Sequence, residues 1–196
     1  MADPLKYYIV HKPFQTLSQF SPEEGKKTLK DYFNVPADVY PVGRLDYDSE
    51  GLLLLTNDKY LNHRLLNPKF KHPRVYWVQV EGDITQDAIQ RLNTGVEISL
   101  KSGKYKTLPA VCTILDNVNI DERNPPIRFR KEQPTTWISL QLIEGKNRQV
   151  RKMTASVGFP TLRLLRFSIE KLQLEELTSG KMKEISREMA YKMLIK

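Results

Sequence analysis

The amino-acid sequence predicts an α+β fold built on a mixed, mostly antiparallel sheet. Segments with strand-like alternation and segments with helical spacing follow one another along the whole chain. No internal repeat or low-complexity block interrupts them. The chain has 196 residues, 40% of them hydrophobic, which is enough to bury one substantial core or two small lobes that share a cleft.

The first third of the chain predicts two strands separated by a helix. Leu5–Val10 has strand character and ends before Pro13. An N-cap serine, a proline at the first helical position and a capping-box glutamate predict a helix from Ser21 to about Phe33. Leu52–Leu55 is a continuous apolar run followed by Thr-Asn-Asp, which predicts a fully buried strand.

The middle of the chain alternates helices with strands. Asp58 can cap a short helix that ends at Asn67-Pro68, and Thr85–Asn93 predicts a second helix with Gly95 just beyond its end. The predicted strands in this part are Val75–Glu81, Val96–Leu100 and Pro109–Leu115.

The last third begins with a long charged segment. Asp116–Thr136 contains three prolines and little periodicity, so it predicts a long surface loop of the kind that is functional or mobile. After it we expect a strand, a helix, a strand and a terminal helix, at Trp137–Glu144, Asn147–Val157, Thr161–Leu174 and from Ser186 onwards.

Composition points to a polyanionic partner and to the cytoplasm. Lys and Arg number 31 against 23 acidic residues, a formal net charge of +8, which suggests nucleic acid or an acidic membrane surface. Cys112 is the single cysteine, so no intramolecular disulfide can form. We see no signal peptide and no apolar run of membrane-spanning length, and we expect no membrane association.

The stretch GRLDYDSEGLLLLTND, residues 43–58, places three carboxylates directly before the buried strand. Asp46, Asp48 and Glu50 match the first half of a calcium-binding EF-hand loop, but Leu54 and Asn57 stand at the ninth and twelfth positions, where the closing ligands belong. Calcium binding is therefore disfavoured. A plain polar turn that leads into a strand is the simplest interpretation of the residues alone.

A second segment, ISLQLIEGKNRQVRKMTASVGFP, residues 138–160, predicts a strand, a turn and a two-faced helix. On a helical wheel Val150, Met153, Thr154 and Val157 form an apolar face, opposite a cationic face of Arg148, Arg151 and Lys152. The start of such a helix can bind a phosphate or a carboxylate. An ordinary solvated basic face explains the same pattern.

Together these motifs resemble the RsuA-type family of ribosomal RNA pseudouridine synthases, from about Tyr7 to about Ser186. GRLDYDSEGLLLLTND resembles its catalytic motif, YYIVHKP its Lys-Pro motif, HPRVYWVQVEG its tyrosine motif and EGKNRQVRKMTASVGFPTLRLLR its closing Arg-Gln-Val-Arg motif. The segments RNPPIRFRK, PTTW and VGFPTLRLLRFSI are most similar to the branch that acts on large-subunit ribosomal RNA, branch E.

The resemblance implies a fold, a reaction and a site. It implies a pseudouridine synthase catalytic fold of two lobes with a central active-site cleft, spanning residues 1–196 as a single domain without an N-terminal S4-type RNA-binding domain. The reaction is conversion of uridine to pseudouridine in 23S, large-subunit ribosomal RNA. Asp46 is the catalytic carboxylate, and Arg151 is the cation beside it, with Arg148 as the alternative. Tyr76 stacks on the extruded base.

The resemblance also implies RNA as the partner of a monomeric protein that needs neither a cofactor nor a metal. Basic residues in or beside the motifs are expected to contact RNA, namely Lys12, Arg44, Arg74 and Lys152. A wider set could contribute backbone contacts: Lys69, Lys71, Arg123, Arg128, Arg130, Lys131, Arg163 and Arg166. His11, His63 and His72 show no metal-ligand spacing. Two alternatives remain open, a synthase for another RNA such as transfer RNA, and a catalytically silent RNA-binding or ribosome-assembly protein.

Overall fold

The computed structural model of the protein describes residues 4–127 and 133–195. The strands of these residues, numbered in chain order, are β1 (Tyr7–Lys12), β2 (Thr16–Leu17), β3 (Lys27–Thr28), β4 (Tyr40–Pro41), β5 (Glu50–Thr56), β6 (Arg74–Glu81), β7 (Glu97–Leu100), β8 (Gly103–Lys106), β9 (Val111–Ile114), β10 (Thr135–Leu142), β11 (Thr161–Ile169), β12 (Leu172–Gln173) and β13 (Met182–Glu184). The α-helices are α1 (Lys59–Leu66), α2 (Gln86–Thr94), α3 (Gln149–Ser156) and α4 (Arg187–Leu194).

The chain forms two compact units. The first runs from the N-terminus to His72 and resumes at Arg166, and the second comprises Pro73–Leu165. The boundary falls within β11, which begins in the second unit and ends in the first.

In the first unit, β1 lies between β13 and β5 and is antiparallel to both. Every residue of β5 is buried, and the side chains of Leu52–Leu55 have no exposed surface. A strand buried on both faces is expected to be continuously apolar rather than alternating, which explains the run of four leucines. The predicted buried strand is confirmed and extends by two residues to Glu50.

Helix α1 begins where the sequence predicts, at a capping aspartate. The Asp58 carboxylate accepts a hydrogen bond from the Leu61 N–H at 3.0 Å and closes the first turn of the helix. The same carboxylate accepts the hydroxyl hydrogen bonds of Tyr7 at 2.7 Å and of Tyr191 at 2.8 Å. Asp58 therefore joins β1, α1 and α4, which are far apart in sequence.

In the second unit, β10 lies between β6 and β9 and is antiparallel to both, while β7 and β8 form a separate hairpin. Helix α2 lies against β9, and α3 lies against β7. The helices cover a core to which Leu92, Met153, Val78 and Ile138 contribute buried side chains. Thr85 caps α2 and Gly95 ends it, as the sequence predicts.

The predicted helix from Ser21 to about Phe33 is wrong. Gly25 adopts a φ of +72°, and the Lys26 N–H donates to the Glu23 carbonyl oxygen, so this part of the chain turns back on itself. A three-residue 3₁₀ helix, Leu29–Asp31, then follows, capped by Thr28. The predicted capping residues begin no helix, because a glycine with positive φ turns the chain within the first predicted helical turn.

The predicted strand Thr161–Leu174 is two strands. Glu170 has a φ of +52°, which reverses the chain so that Ile169 pairs with Leu172. The sequence offers no glycine here, and this is why the turn escapes a pattern-based prediction. The α+β class and the mostly antiparallel pairing are confirmed. Among the described residues, no helix is both long and apolar enough to cross a membrane.

Candidate active site

Asp46 is the first residue of a β-turn that leads into β5. The Ser49 N–H donates to the Asp46 carbonyl oxygen at 3.0 Å, and the Asp46 side chain is half-buried. The turn presents Asp46 at one end of a strand that is itself fully enclosed, so its backbone has little freedom to move. The polar turn that the residues alone suggest is therefore present, and it fixes the backbone of Asp46.

Ser18 fixes the residue before Asp46. Its Oγ accepts a hydrogen bond from the Leu45 N–H at 3.0 Å and donates one to the Leu45 carbonyl oxygen at 2.9 Å. Ser18 and Leu45 are both buried. The reciprocal pair replaces the backbone partners that a strand would give Leu45. Sequence reasoning missed Ser18, because it lies 27 positions away along the chain and carries no motif.

Gly51 anchors the residues after Asp46. Its φ is +103°, and a Cβ added there would lie 2.7 Å from the Arg166 backbone nitrogen and closer still to the Arg166 carbonyl oxygen. Only glycine fits so close an approach of two backbones. The Arg166 side chain in turn donates from Nε to the Leu52 carbonyl oxygen at 2.8 Å. The glycine of the motif is thus a packing requirement.

Lys12 is buried beside the carboxylates of the motif rather than exposed to RNA. Its side chain is 0% exposed, and Nζ donates to the carbonyl oxygens of Pro13 at 2.9 Å and of Thr16 at 2.7 Å. Burial lowers its pKa to about 7, although the nearby Glu50, Asp48 and Asp46 carboxylates raise it. The expected RNA contact is corrected: Lys12 has no accessible surface and holds the loop that follows β1.

Tyr76 lies on β6 in the second unit, directly opposite Leu140 of β10. Its ring is half-buried and packs against the core of that unit. This is the strand position that the sequence predicts.

Helix α3 has the apolar face that the sequence predicts and a shorter cationic face. Val150, Met153, Thr154 and Val157 are buried. Arg151 and Lys152 are half-buried, and Arg151 Nη1 lies 3.5 Å from the Thr161 carbonyl oxygen. Arg148 is exposed and precedes the helix, with a left-handed φ of +51°, so it does not share the helical face of the other two.

A hydrogen-bond network fixes the turn before α3. Glu144 accepts bonds from the Tyr105 hydroxyl at 2.6 Å, the Leu108 N–H at 2.9 Å and Gln149 Nε2 at 2.7 Å. The Gln149 side chain also accepts a bond from the Lys146 N–H at 2.8 Å, which closes the turn that precedes α3. Sequence reasoning treated Glu144 and Gln149 as parts of a motif and missed that they organise it.

Comparison with known proteins decides which family this chain belongs to. Residues 6–156, which include Lys12, Asp46, Tyr76 and Arg151, match the sequence profile of the family described as RNA pseudouridylate synthase. The chain belongs to this family. It is an RNA pseudouridine synthase.

Several curated relatives are similar over most of their length. Ribosomal large subunit pseudouridine synthase E of Vibrio vulnificus is 53% identical over 181 residues, which cover 92% of this chain and 75% of the relative. The protein of that name from Xanthomonas axonopodis is 49% identical over 172 residues, covering 86% and 88%. Ribosomal large subunit pseudouridine synthase B of Bacillus subtilis is 34% identical over 181 residues, covering 92% and 68%.

A solved structure shares the fold of this synthase. A crystal structure described as a pseudouridylate synthase superposes with a TM-score of 0.79 over 98% of this chain and 75% of its own, at 24% identity. Its likeness concerns the fold alone.

The basic residues of the synthase fall into three groups. Arg44, Lys69 and Lys71 are exposed, and Arg74 and Arg123 are half-buried. Arg163 and Arg166 are buried: Arg163 donates to the Asp121 carbonyl oxygen at 2.9 Å, and Arg166 bonds to Leu52 as described above. These two arginines, expected as RNA contacts, support the fold instead. Arg128, Arg130 and Lys131 lie outside the described residues.

The described part of the synthase chain brings no three His, Cys, Asp or Glu side chains together as metal ligands. Instead, His72 is paired inside the first unit. Its Nδ1 lies 2.6 Å from Glu170 Oε1, and its Nε2 lies 3.1 Å from the Arg64 carbonyl oxygen. These two contacts tie the imidazole to the start of β12's hairpin at Glu170 and to the backbone of α1 at Arg64.

Proposed function

We propose that this synthase converts a uridine of large-subunit ribosomal RNA to pseudouridine, with the Asp46 carboxylate as the reacting group. The target is supported by relatives at 49% to 53% identity that are named ribosomal large subunit pseudouridine synthase E. The choice of Asp46 is supported by the resemblance of residues 43–58 to the family's catalytic motif.

The reaction is an isomerisation that needs no redox change. The bond between ribose C1′ and uracil N1 breaks, the base turns, and a bond forms between C1′ and C5, after which the C5 proton leaves and N1 gains a proton. An ionised carboxylate can open this sequence in two ways. It can attack C1′ as a nucleophile, or it can remove the 2′ proton to give a glycal.

The observation that carries this proposal is the hydrogen bonding that fixes the backbone at Asp46. Leu45 before it is bonded twice to Ser18, and the turn after it is closed by the Ser49 N–H. A carboxylate that acts at one sugar carbon must be held in one place, because misplacement by about 1 Å can cost about 100-fold in rate. A simple solvent-exposed turn would need no buried serine bonded to the residue before it.

The roles of Arg151, Arg148 and Tyr76 rest on the resemblance. We propose that Arg151 keeps Asp46 ionised during the reaction and that Tyr76 offers its ring to the extruded uracil. Arg148 precedes α3 and is exposed, so we propose that it contacts RNA together with Lys152, Arg74 and Arg44. We further propose that the protein acts as a monomer in the cytoplasm.

Substitution of Asp46 tests the proposal against a matched carboxylate in the same turn. We expect Asp46→Asn to abolish pseudouridine formation in a protein-free large-subunit transcript, because the amide keeps the shape but is neither nucleophile nor base. Asp48→Asn removes a charge two residues away and should retain turnover. Single-turnover mapping of pseudouridine, beside a thermal melt of each variant, gives the answer.

Three other outcomes would change the proposal in different ways. A folded Asp46→Asn protein that still isomerises uridine would reject Asp46 as the reacting group. Modification of a transfer RNA, with the large-subunit transcript untouched, would replace the substrate and keep the enzyme. Binding of RNA without turnover by the parent chain would favour a silent RNA-binding protein.

A further inference from the structure

One surface of the first unit combines positive charge with an exposed aromatic ring. Between residues 59 and 72 the sequence KYLNHRLLNPKFKH contains four Lys or Arg residues and no Asp or Glu. It folds as α1 followed by a 3₁₀ helix at Pro68–Phe70, with Asn67 at the junction. We name the side chains of Arg64, Lys69, Phe70 and Lys71 the Arg64–Lys71 surface.

Phe70 is held at this surface by two neighbours. The Arg64 guanidinium carbon lies 3.9 Å from the centre of the Phe70 ring, a close cation–π stack, and the ring centre of His72 lies 6.0 Å away on a tilted plane. His72 is itself bonded to Glu170 and to the Arg64 carbonyl oxygen. Phe70 is nevertheless 37% exposed, so the ring is fixed in position while part of it faces solvent.

Lysines flank the ring on both sides in the sequence. Lys69 and Lys71 are exposed, and Lys71 has a left-handed φ of +49° that ends the 3₁₀ helix. With Arg64 they place three cations within residues 64–71, and this segment contains no Asp or Glu. Such a surface is complementary to a polyanion that carries flat apolar groups.

Helix α1, which carries Arg64, adjoins the loop that carries Asp46. Leu66, the last residue of α1, packs against Gly43: a Cβ added at Gly43 would lie 3.0 Å from Leu66 Cδ2. Gly43 is three residues before Asp46, and Arg44, which is exposed, lies between them. All of these residues belong to the first unit. The first unit therefore carries both the Arg64–Lys71 surface and the loop of Asp46, and α1 connects them through its contact with Gly43.

We propose that the Arg64–Lys71 surface binds the RNA strand that flanks the target uridine. Lys69 and Lys71 contact phosphates, and Phe70, backed by the Arg64 guanidinium, stacks on an unpaired base. Aromatic rings bind unpaired bases in this way, and lysines follow the backbone beside them. The inference rests on the proposed function, because it takes RNA to be the substrate.

Removal of the two lysines tests the phosphate contacts. The probe is a fluorescent single-stranded oligouridine RNA, measured by anisotropy over a range of salt concentrations. We expect Lys69→Ala with Lys71→Ala to lower the magnitude of the slope of log affinity against log salt by about 1.4, from about 0.7 for each phosphate contact on a single strand. The control is Lys101→Ala with Lys104→Ala, which removes two exposed lysines from the β7–β8 hairpin of the second unit.

Substitution of Phe70 tests the stacked base. Phe70→Leu keeps an apolar side chain but removes the ring, and we expect affinity to fall about 5- to 150-fold. Phe70→Trp keeps a ring and should bind at least as tightly as the parent. A thermal melt of each variant excludes a folding defect.

The outcomes separate this inference from the proposed function. If both double-lysine variants change the salt slope equally, or if Phe70→Leu binds like the parent, the Arg64–Lys71 surface is not an RNA site, even when the parent isomerises uridine. If the parent binds RNA through this surface but forms no pseudouridine, the proposed function fails and the surface stands. The inference would also be overturned if the Lys69, Lys71 and Phe70 variants lost the binding of a protein partner while their affinity for RNA stayed that of the parent.

Discussion

Lys12 belongs to the Lys-Pro motif, which the resemblance associates with the catalytic site. Its side chain is nevertheless buried away from solvent. Its Nζ has two carbonyl acceptors, Pro13 and Thr16, and a neutral amine has two N–H groups to donate. The charged form is costly at a site with no exposure, which is why burial lowers the pKa of Lys12 to about 7. The Lys-Pro pair is therefore explained by the loop after β1 rather than by RNA.

This burial predicts a pH dependence of stability at the scale of one residue. The pKa of Lys12 is about 7 in the folded chain and 10.5 in its ordinary state, so between these values the unfolded chain binds the extra proton. The cost of burying the charge is present in full below pH 7 and is relieved as the pH rises towards 10.5. Urea unfolding at pH 6 and pH 9 should show the parent gaining stability relative to Lys12→Met. If the free energies of unfolding of the parent and Lys12→Met differ by the same amount at both pH values, the prediction is contradicted.

Single residues also show how far sequence reasoning reaches. Asp46, Tyr76 and Arg151 lie in motifs that can each be recognised within one continuous stretch of the sequence. Ser18, Glu144 and Gln149 act through hydrogen bonds, and the decisive partner of Ser18 lies 27 positions away. A residue whose role depends on a distant backbone has no local signal, so the hydrogen-bond support of the motif could not be predicted, whereas the motif residues could be proposed from their own segments.

Elements were predictable where local chemistry decides them. Helices α1, α2 and α4 begin after Asp58, Thr85 and Ser186, each of which accepts a bond from a first-turn N–H as a capping residue should. The short strands β2, β4 and β8 were missed, because two to four residues give no usable period and their pairing depends on partners elsewhere. The false helix after Ser21 had N-terminal capping signals, but Gly25 with its φ of +72° turns the chain there.

The close approach of β5 to the backbone of Arg166 gives a stability prediction at the scale of an element. Gly51→Ala places a Cβ 2.7 Å from the Arg166 nitrogen at a φ of +103°. Strain of about 1–3 kcal/mol and overpacking of a similar size should together lower the free energy of unfolding. Gly158→Ala is the matched control, because its φ is +95° and a Cβ there meets nothing within 4 Å. Thermal melts that show equal losses for both variants would mean that φ alone, and not the contact with Arg166, requires the glycine.

At the scale of the whole molecule, the net charge does not show which basic side chains can contact RNA. The formal net charge is +8, yet Lys12, Arg163 and Arg166 are buried and contribute hydrogen bonds to the interior. The cations that can meet RNA are therefore fewer than the composition suggests. A count of basic residues predicts the class of partner, and only the three-dimensional structure says which of them can reach it.

The affinity of the whole chain for RNA should therefore be dominated by a limited set of phosphate contacts. Each contact contributes a slope of roughly −0.7 in log affinity against log salt on a single strand, so about four contacts give a slope near −3. Filter binding of the Asp46→Asn protein between low and physiological salt measures this slope without turnover of the RNA. Such a chain should bind with nearly the parent's affinity, because the substitution removes no cation. An affinity that does not change with salt would mean that base contacts, and not phosphate contacts, carry the binding. The net charge of the chain would then not explain its affinity for RNA.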